Sequence, residues 1–551
     1  MAASREALGM HRCRPQEDTL MRKVLAHRIT VCTLLALSAL FGSILPSTSA
    51  HAQKKGGTAI IALDTNPPTI NPAITSGDPD HVVGEKIYGG LIYLDNNFAP
   101  QPDLALNWEV APDGLAYTFT LRPNVKWHDG QPFTSADVKF TFEEVLAKYH
   151  PLTKNLFQRV ASIDTPTPLK VVVKMKEPFG PFLTSLFSFN APIIPKHVFA
   201  GTDVLTNPAN LQPVGTGPFK FKEWSRGDRI TLVRNEAYYH PVHLERLIFR
   251  IMPDPSARSL AFESGDVDYI SDYYLAKSDV AHLEKLAGTQ VRRGGDLPIT
   301  TLLIFNVRQK PMAATEVRQA IATATDRKLM VNKARFGLGV PGKSAIDSHF
   351  TWAYNSKVDY GTIYAFNPAK AKSLLDAAGY RAGADGKRLS IRLIYDVVRP
   401  TLTQIAEIMK AQLAEIGIDV KLEAVERAVF IDRVFMKNDF DMTLAEYGTF
   451  GDPAIGVQRL YICADVRKAP FVNGSGYCNP AVDELFKRGA TEVKATERAK
   501  HYYQAQEILA KDIPSLVLIE NENVDIAKTY LKGLWEGKMQ YSQWERAWLD
   551  K

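Results

Sequence analysis

The distribution of strand-like and helix-like stretches along the chain constrains its fold more than any other feature. Through the first half, short β-rich runs recur (GGTAIIALD, AYTFTLR, LKVVVKM, RITLVR and RLIFRIM), each bounded by Gly, Pro or Asp. Later the period changes. Apolar residues at helical spacing predict a helix over 315–336. A second helix is predicted over 368–378, with Pro368 near its start and Gly379 just past its end. From Leu402, apolar residues recur at Ile405, Met409, Leu413 and Ile416, one buried stripe that stops at Gly417. IDVKLEAV then alternates as a strand. Helix followed by strand, repeated, predicts an α/β lobe whose sheet is covered by helices. Strands first and α/β later predict at least two lobes of different make-up. The run SLVLIE at 515–520 is a candidate to return the chain to the first lobe.

With 551 residues, 45% hydrophobic and 23% charged, the chain has globular composition, which excludes disordered and collagen-like classes. A formal charge of +6, without basic runs, is no nucleic-acid footprint. Near the amino end Arg22, Lys23 and Arg28 precede an apolar stretch over 29–45, followed by PSTSAHA with Ala50 and Ala52 as the small residues. Basic, apolar, small is the order of a cleavable secretory signal, here cut before Gln53, with Met21 an alternative start. A single membrane anchor is the other reading, but the stretch falls short of the ~20 residues that span comfortably. Cys463 and Cys478 lie beyond the signal. In an oxidising compartment they read as a disulfide or as free thiols, and the disulfide is expected.

Three motifs imitate active sites. GLGVPGKS at 337–344 satisfies the phosphate-loop pattern, but a helix precedes it, no helical period follows, and Pro341 removes an N–H from any phosphate nest. Trp127, His128, Asp129 and Gly130 place an imidazole beside a carboxylate. With QPFTSADV following, they read as a turn into a helix capped by Thr134, with Asp137 three residues on. GTGPF at 215–219 reads as a tight turn, since no helix follows. The histidines show no metal-ligand spacing, and no hydrolase or zinc motif occurs. No enzyme activity, cofactor or metal site is expected.

Taken in order, the segments GGTAIIALDTNPPTINPA, QPDLALNWEVAPDGLAYTFTLRPNVKWHDGQPFTSADVKFTFE, VGTGPFKF, FRIMPDPSARSLAFESGDVDYI, EVRQAIATATDRKLMV and FNPAKAKSLLDAAGY resemble the large extracytoplasmic solute-binding proteins of ABC importers. That family takes up peptides, opines and nickel complexes. The resemblance implies an α/β fold of two lobes with mixed sheets. Two crossings, near 305–307 and near Glu520, would join them, with the ligand buried between. The first lobe would be 53–305 plus 520–551, with an extra subdomain near 93–214, and the second 306–519. It also implies a periplasmic monomer that hands a small molecule or short peptide to an ABC permease with a separate ATPase subunit.

Dipeptide-binding members resemble this chain around VVRP and GTFGDP. There an Arg before Pro holds the ligand carboxylate and an Asp before G-D-P holds its ammonium. Arg399 stands at the first position, Thr449 at the second, and Thr401 where such members carry Tyr. The carboxylate anchor is therefore expected to be kept and the ammonium anchor lost, with Asp452 or Glu446 as substitutes. Tyr447 and Phe450 are candidates to stack on ligand, or else core. The spacing of Cys463 from Thr449 matches the dipeptide-binding members and supports the disulfide. The ligand expected is a modified peptide, an opine-like conjugate or another carboxylate. An ordinary short peptide, a nickel complex and chaperone-like binding of unfolded chains are the alternatives.

Overall fold

The computed structural model describes residues 55–551 apart from 97, 295–296, 398, 467–469 and 536–542. The expected secretion signal lies outside the described residues. Each first-half run forms its strand: Thr58–Leu63, Ala116–Leu121, Lys170–Met175, Arg229–Arg234 and Arg246–Ile251. Thr58–Leu63 sits inside a seven-stranded mixed sheet, parallel to Arg246–Ile251 on one side and to Tyr269–Ile270 on the other. A separate four-stranded antiparallel sheet is built from Ala105–Val110, Ala116–Leu121, Lys170–Met175 and Val160–Thr167.

The later segments form a six-stranded sheet in the order Gly339–Pro341, Ser515–Asn521, Ile299–Phe305, Met442–Gly448, Leu389–Asp396, Ile418–Val425. The Leu402 stripe becomes helix Pro400–Ala414, burying Leu402, Ile405, Met409 and Leu413. The single helix expected over 315–336 is two, Thr315–Thr323 and Arg327–Ala334. Asp326 divides them because its carboxylate accepts from the Leu329 N–H and starts a new helix. Each large sheet has its own hydrophobic core, one containing Ile61, Phe249 and Ile526 and the other Leu303, Leu393 and Leu518. The chain passes from the first sheet to the second between Arg293 and Ile299 and returns between Asn521 and Val524. The first passage precedes the 305–307 expected, because Ile299–Phe305 pairs on both edges within the six-stranded sheet. SLVLIE likewise belongs to that sheet, and the return follows it.

The motifs set aside as structural pack on one another. Asp137 accepts from the Thr134 N–H at 2.9 Å, closing the capping turn. Burial pushes the His128 imidazole down to about 4, so it is neutral at neutral pH. Its Nδ1 accepts from the Gly215 N–H at 3.2 Å, and its Nε2 donates to the Gly217 carbonyl at 3.0 Å. WHDG thereby fastens GTGPF. A Cβ on Gly215 would stand 1.9 Å from the Ile87 carbonyl oxygen, which explains the glycine. His128→Ala strands both backbone groups and is expected to lower the unfolding free energy by about 1–3 kcal/mol, read from urea denaturation. In GLGVPGKS, Gly339–Pro341 pairs as a strand with the Ser515–Asn521 strand, and the Lys343 N–H donates to Glu520. These groups are spent on the fold.

Candidate functional site

Strands Leu389–Asp396 and Met442–Gly448 run parallel in the six-stranded sheet, with Leu393 beside Met442. Their carboxyl ends therefore emerge at the same edge, where α/β sheets receive ligands. One end delivers Arg399, the residue before helix Pro400–Ala414, and the other delivers Glu446, Tyr447 and Phe450. Facing them from the first sheet's side are Asp78, Phe189 and Tyr273. Together they enclose a cavity of about 220 Å³.

Three arginines line the cavity: Arg459 donates to the Gly456, Phe471 and Gly448 carbonyls, Arg427 pairs with Asp396 at 2.5 Å, and Arg399 stands among carboxylates. Its guanidinium stands 3.8 Å from an Asp78 oxygen and 3.7 Å from a Glu446 oxygen, and lies 5.5 Å from the Tyr273 ring centroid. Burial works to lower its pKa, but Glu446, Asp78, Tyr273 and Asp64 outweigh that and hold it above the usual arginine value. None of its guanidinium N–H groups makes a hydrogen bond to a described residue. A charged fork held in place by ion pairs, with its donors unspent, suits a carboxylate. Tyr447 is buried, and its hydroxyl has no hydrogen-bond partner among the described residues. Phe450 stacks on Phe189 at 6.1 Å between centroids, and both line the cavity.

The other sequence candidates are placed elsewhere. Thr449 is buried, and both its N–H and its hydroxyl donate to the Pro298 carbonyl, at 3.0 and 2.9 Å. It fastens its loop to the first passage between sheets and does not line the cavity. Asp452, named as a substitute anchor, is engaged elsewhere and does not line the cavity. Its carboxylate caps helix Pro453–Gly456 through the Ala454 N–H and takes both prongs of the buried Arg498 at 2.6 and 2.8 Å. Thr401 lies half-buried on the first turn of its helix, outside the lining. Glu446 faces the cavity, as the alternative reading allowed.

Cys463 and Cys478 form the expected disulfide. The loop it closes carries Phe471, which lines the cavity. Phe471 (φ 55°) and Phe450 (φ 50°) hold left-handed backbone, costly for bulky residues and characteristic of binding sites. Opening the disulfide by a Cys463→Ser, Cys478→Ser double substitution is expected to lower the unfolding free energy by about 3 kcal/mol in denaturant titration, the value for a loop of this length.

Sequence reasoning missed Asp78, Phe189 and Tyr273, since they reach the site from distant segments. It also missed that Asp347, His349 and Glu520 bring ligand-type atoms within 4.8 Å of one another. There Glu520 accepts from the Lys343 N–H and from Ser348, and His349 bonds to Asp347 at 2.6 Å, so the cluster ties the GKS loop to the strand that ends at Asn521.

Two sheets with separate cores, joined by two passages and sharing a cavity lined from both sides, define a two-lobed α/β binding-protein fold. Residues 99–467 match the family described as bacterial extracellular solute-binding proteins, family 5, middle region, and the chain belongs to that family. It is 27% identical to the oligopeptide-binding protein AppA of Bacillus subtilis over 96% of this chain and 99% of that one. The structure of AppA in complex with a nonapeptide superposes with a TM-score of 0.78 at 25% identity, covering 91% of this chain and all of that one. The binding protein AgaA from Agrobacterium tumefaciens R10, in complex with agropinic acid, gives a TM-score of 0.76 at 28% identity, covering 90% of this chain and 99% of that one. Among the described residues, no helix is long and apolar enough to cross a membrane.

Proposed function

We propose that the mature protein is a periplasmic, monomeric, non-enzymatic component of an ABC importer. It captures a small carboxylate-bearing solute between its lobes and delivers it to an inner-membrane permease whose ATPase is a separate subunit. The first lobe comprises residues 53–293 and 524–551, with the four-stranded sheet as its extra subdomain, and the second comprises 299–521. The observation that carries this reading is Arg399: a guanidinium at the shared cavity with no hydrogen bond to a described residue. A ligand that touches Arg399 and Glu446 on one side and Asp78 on the other favours the closed arrangement, because only there does it touch both.

Size and charge favour a compact ligand over an ordinary peptide. A cavity of about 220 Å³ lies below the roughly 300–1,000 Å³ of drug-sized sites. A dipeptide's ammonium would find Thr449 committed to Pro298 and Asp452 committed to Arg498, which leaves, among the described residues lining the cavity, only Glu446 and Asp78, the acids beside Arg399. Native mass spectrometry of the mature protein as purified, followed by gentle release, tests the reading. A released compound bearing a carboxylate and differing from free-amino di- and tripeptides is expected. A di- or tripeptide with a free amino end would make this an ordinary peptide carrier.

A further inference from the structure

The charges at the cavity specify more than a carboxylate. Glu446 is held from behind: its Oε1 accepts from the Asn521 side chain at 3.3 Å and lies 3.9 Å from Arg335. Its Oε2 is turned to Arg399, 3.7 Å from Nε, and makes no hydrogen bond to a described residue. Asp78, from the opposite lobe, sets a second carboxylate oxygen 3.8 Å from Nη2 of the same guanidinium. A cation-binding group and an anion-binding group thus stand side by side at one end of the cavity.

That adjacency fixes the spacing of charges on a matching ligand. In a dipeptide the ammonium and carboxylate are separated by an extra residue, about 3.5 Å of chain. In an extended dipeptide the two therefore do not reach neighbouring groups together. An ammonium and carboxylate on the same carbon do. The ligand carboxylate would take the unspent donors of Arg399, and the ammonium would replace the guanidinium as partner of Glu446 Oε2 and Asp78. Each buried charge would then keep a counter-charge, as burial requires.

We infer that Glu446, with Asp78 opposite it, is the ammonium anchor of this site, and that the ligand presents an α-amino-acid head group there, its remaining atoms lying along the aromatic residues that line the cavity. The inference rests on the carboxylate role proposed for Arg399. The ammonium would bridge an acid from each lobe, so the same contact would reward closure.

The test is calorimetric titration of ligand-stripped mature protein with the twenty L-α-amino acids, then with the N-acetyl derivative and β-amino isomer of each one that binds. At least one free amino acid is expected to bind. Its N-acetyl and β-amino forms should bind about 10- to 100-fold more weakly, and Glu446→Gln should cause a comparable loss for the free amino acid. If N-acetyl forms bind as well as free ones, or Glu446→Gln leaves affinity unchanged, the inference fails. In that event, loss of the same binding in Arg399→Ala would leave the carboxylate reading standing. If no free amino acid binds, the inference fails as well. The N-acetyl and β-amino comparison within wild-type protein keeps the test decisive even where the Glu446 variant folds poorly.

Discussion

Arg399→Ala is expected to lower affinity for the retained ligand by at least about 100-fold in equilibrium titration. The substitution removes a bidentate, charge-assisted contact and leaves Asp78 and Glu446 facing each other across the emptied position. Each hydrogen bond to a charged group contributes about 1.5–3 kcal/mol, so losing both prongs corresponds to about two orders of magnitude or more in binding. Arg399→Lys keeps the charge but loses the planar fork, so an intermediate loss of roughly tenfold is expected. Thermal stability should fall by less than affinity does, because the Arg399 guanidinium makes no hydrogen bond to a described residue and its two carboxylate partners are partly exposed to solvent. An alanine variant that binds as well as wild type would remove Arg399 from the site.

Asp452→Ala is expected to act in the opposite way, through stability. Arg498 is buried, and both its prongs end on Asp452, while its Nε donates to the Gly489 carbonyl and one prong also reaches the Tyr502 hydroxyl. Burial works to lower the Arg498 pKa, but Asp452 and Tyr502 outweigh it. Removing Asp452 strands a guanidinium with no counter-charge, at a cost of about 3–5 kcal/mol, to which the lost helix cap adds about 1 kcal/mol. A marked fall in the urea midpoint is the expected result. Lost affinity with unchanged stability would instead make Asp452 a ligand contact.

The contrast between these residues shows what the sequence carries and what it does not. Strands and helices were legible because their signals are local: alternation in IDVKLEAV, the stripe from Leu402 to Ile416, Pro368 and Gly379 at a helix's ends. The error at 315–336 was local too, since Asp326 was there to be read as a cap. The site was only half legible. Arg399, Tyr447 and Phe450 could be placed from the resemblance of VVRP and GTFGDP to dipeptide-binding members, and all three line the cavity. Asp452 misled, because its partner Arg498 lies 46 residues away and nothing in GTFGDP announces it. Thr449 occupies the aligned position of a ligand-binding Asp, and its hydroxyl turns to Pro298, 151 residues earlier. Asp78 was invisible for the same reason. It lines the cavity from a segment far from Arg399 in sequence.

The most direct test of the account is the crystal structure of the mature protein with its retained ligand. The predicted result is a ligand carboxylate about 2.7–2.9 Å from two nitrogens of Arg399, in the cavity lined by Phe189 and Phe450, with Thr449 still bonded to Pro298. A ligand bound away from Arg399, or one whose amine is held by the Thr449 loop, would contradict it.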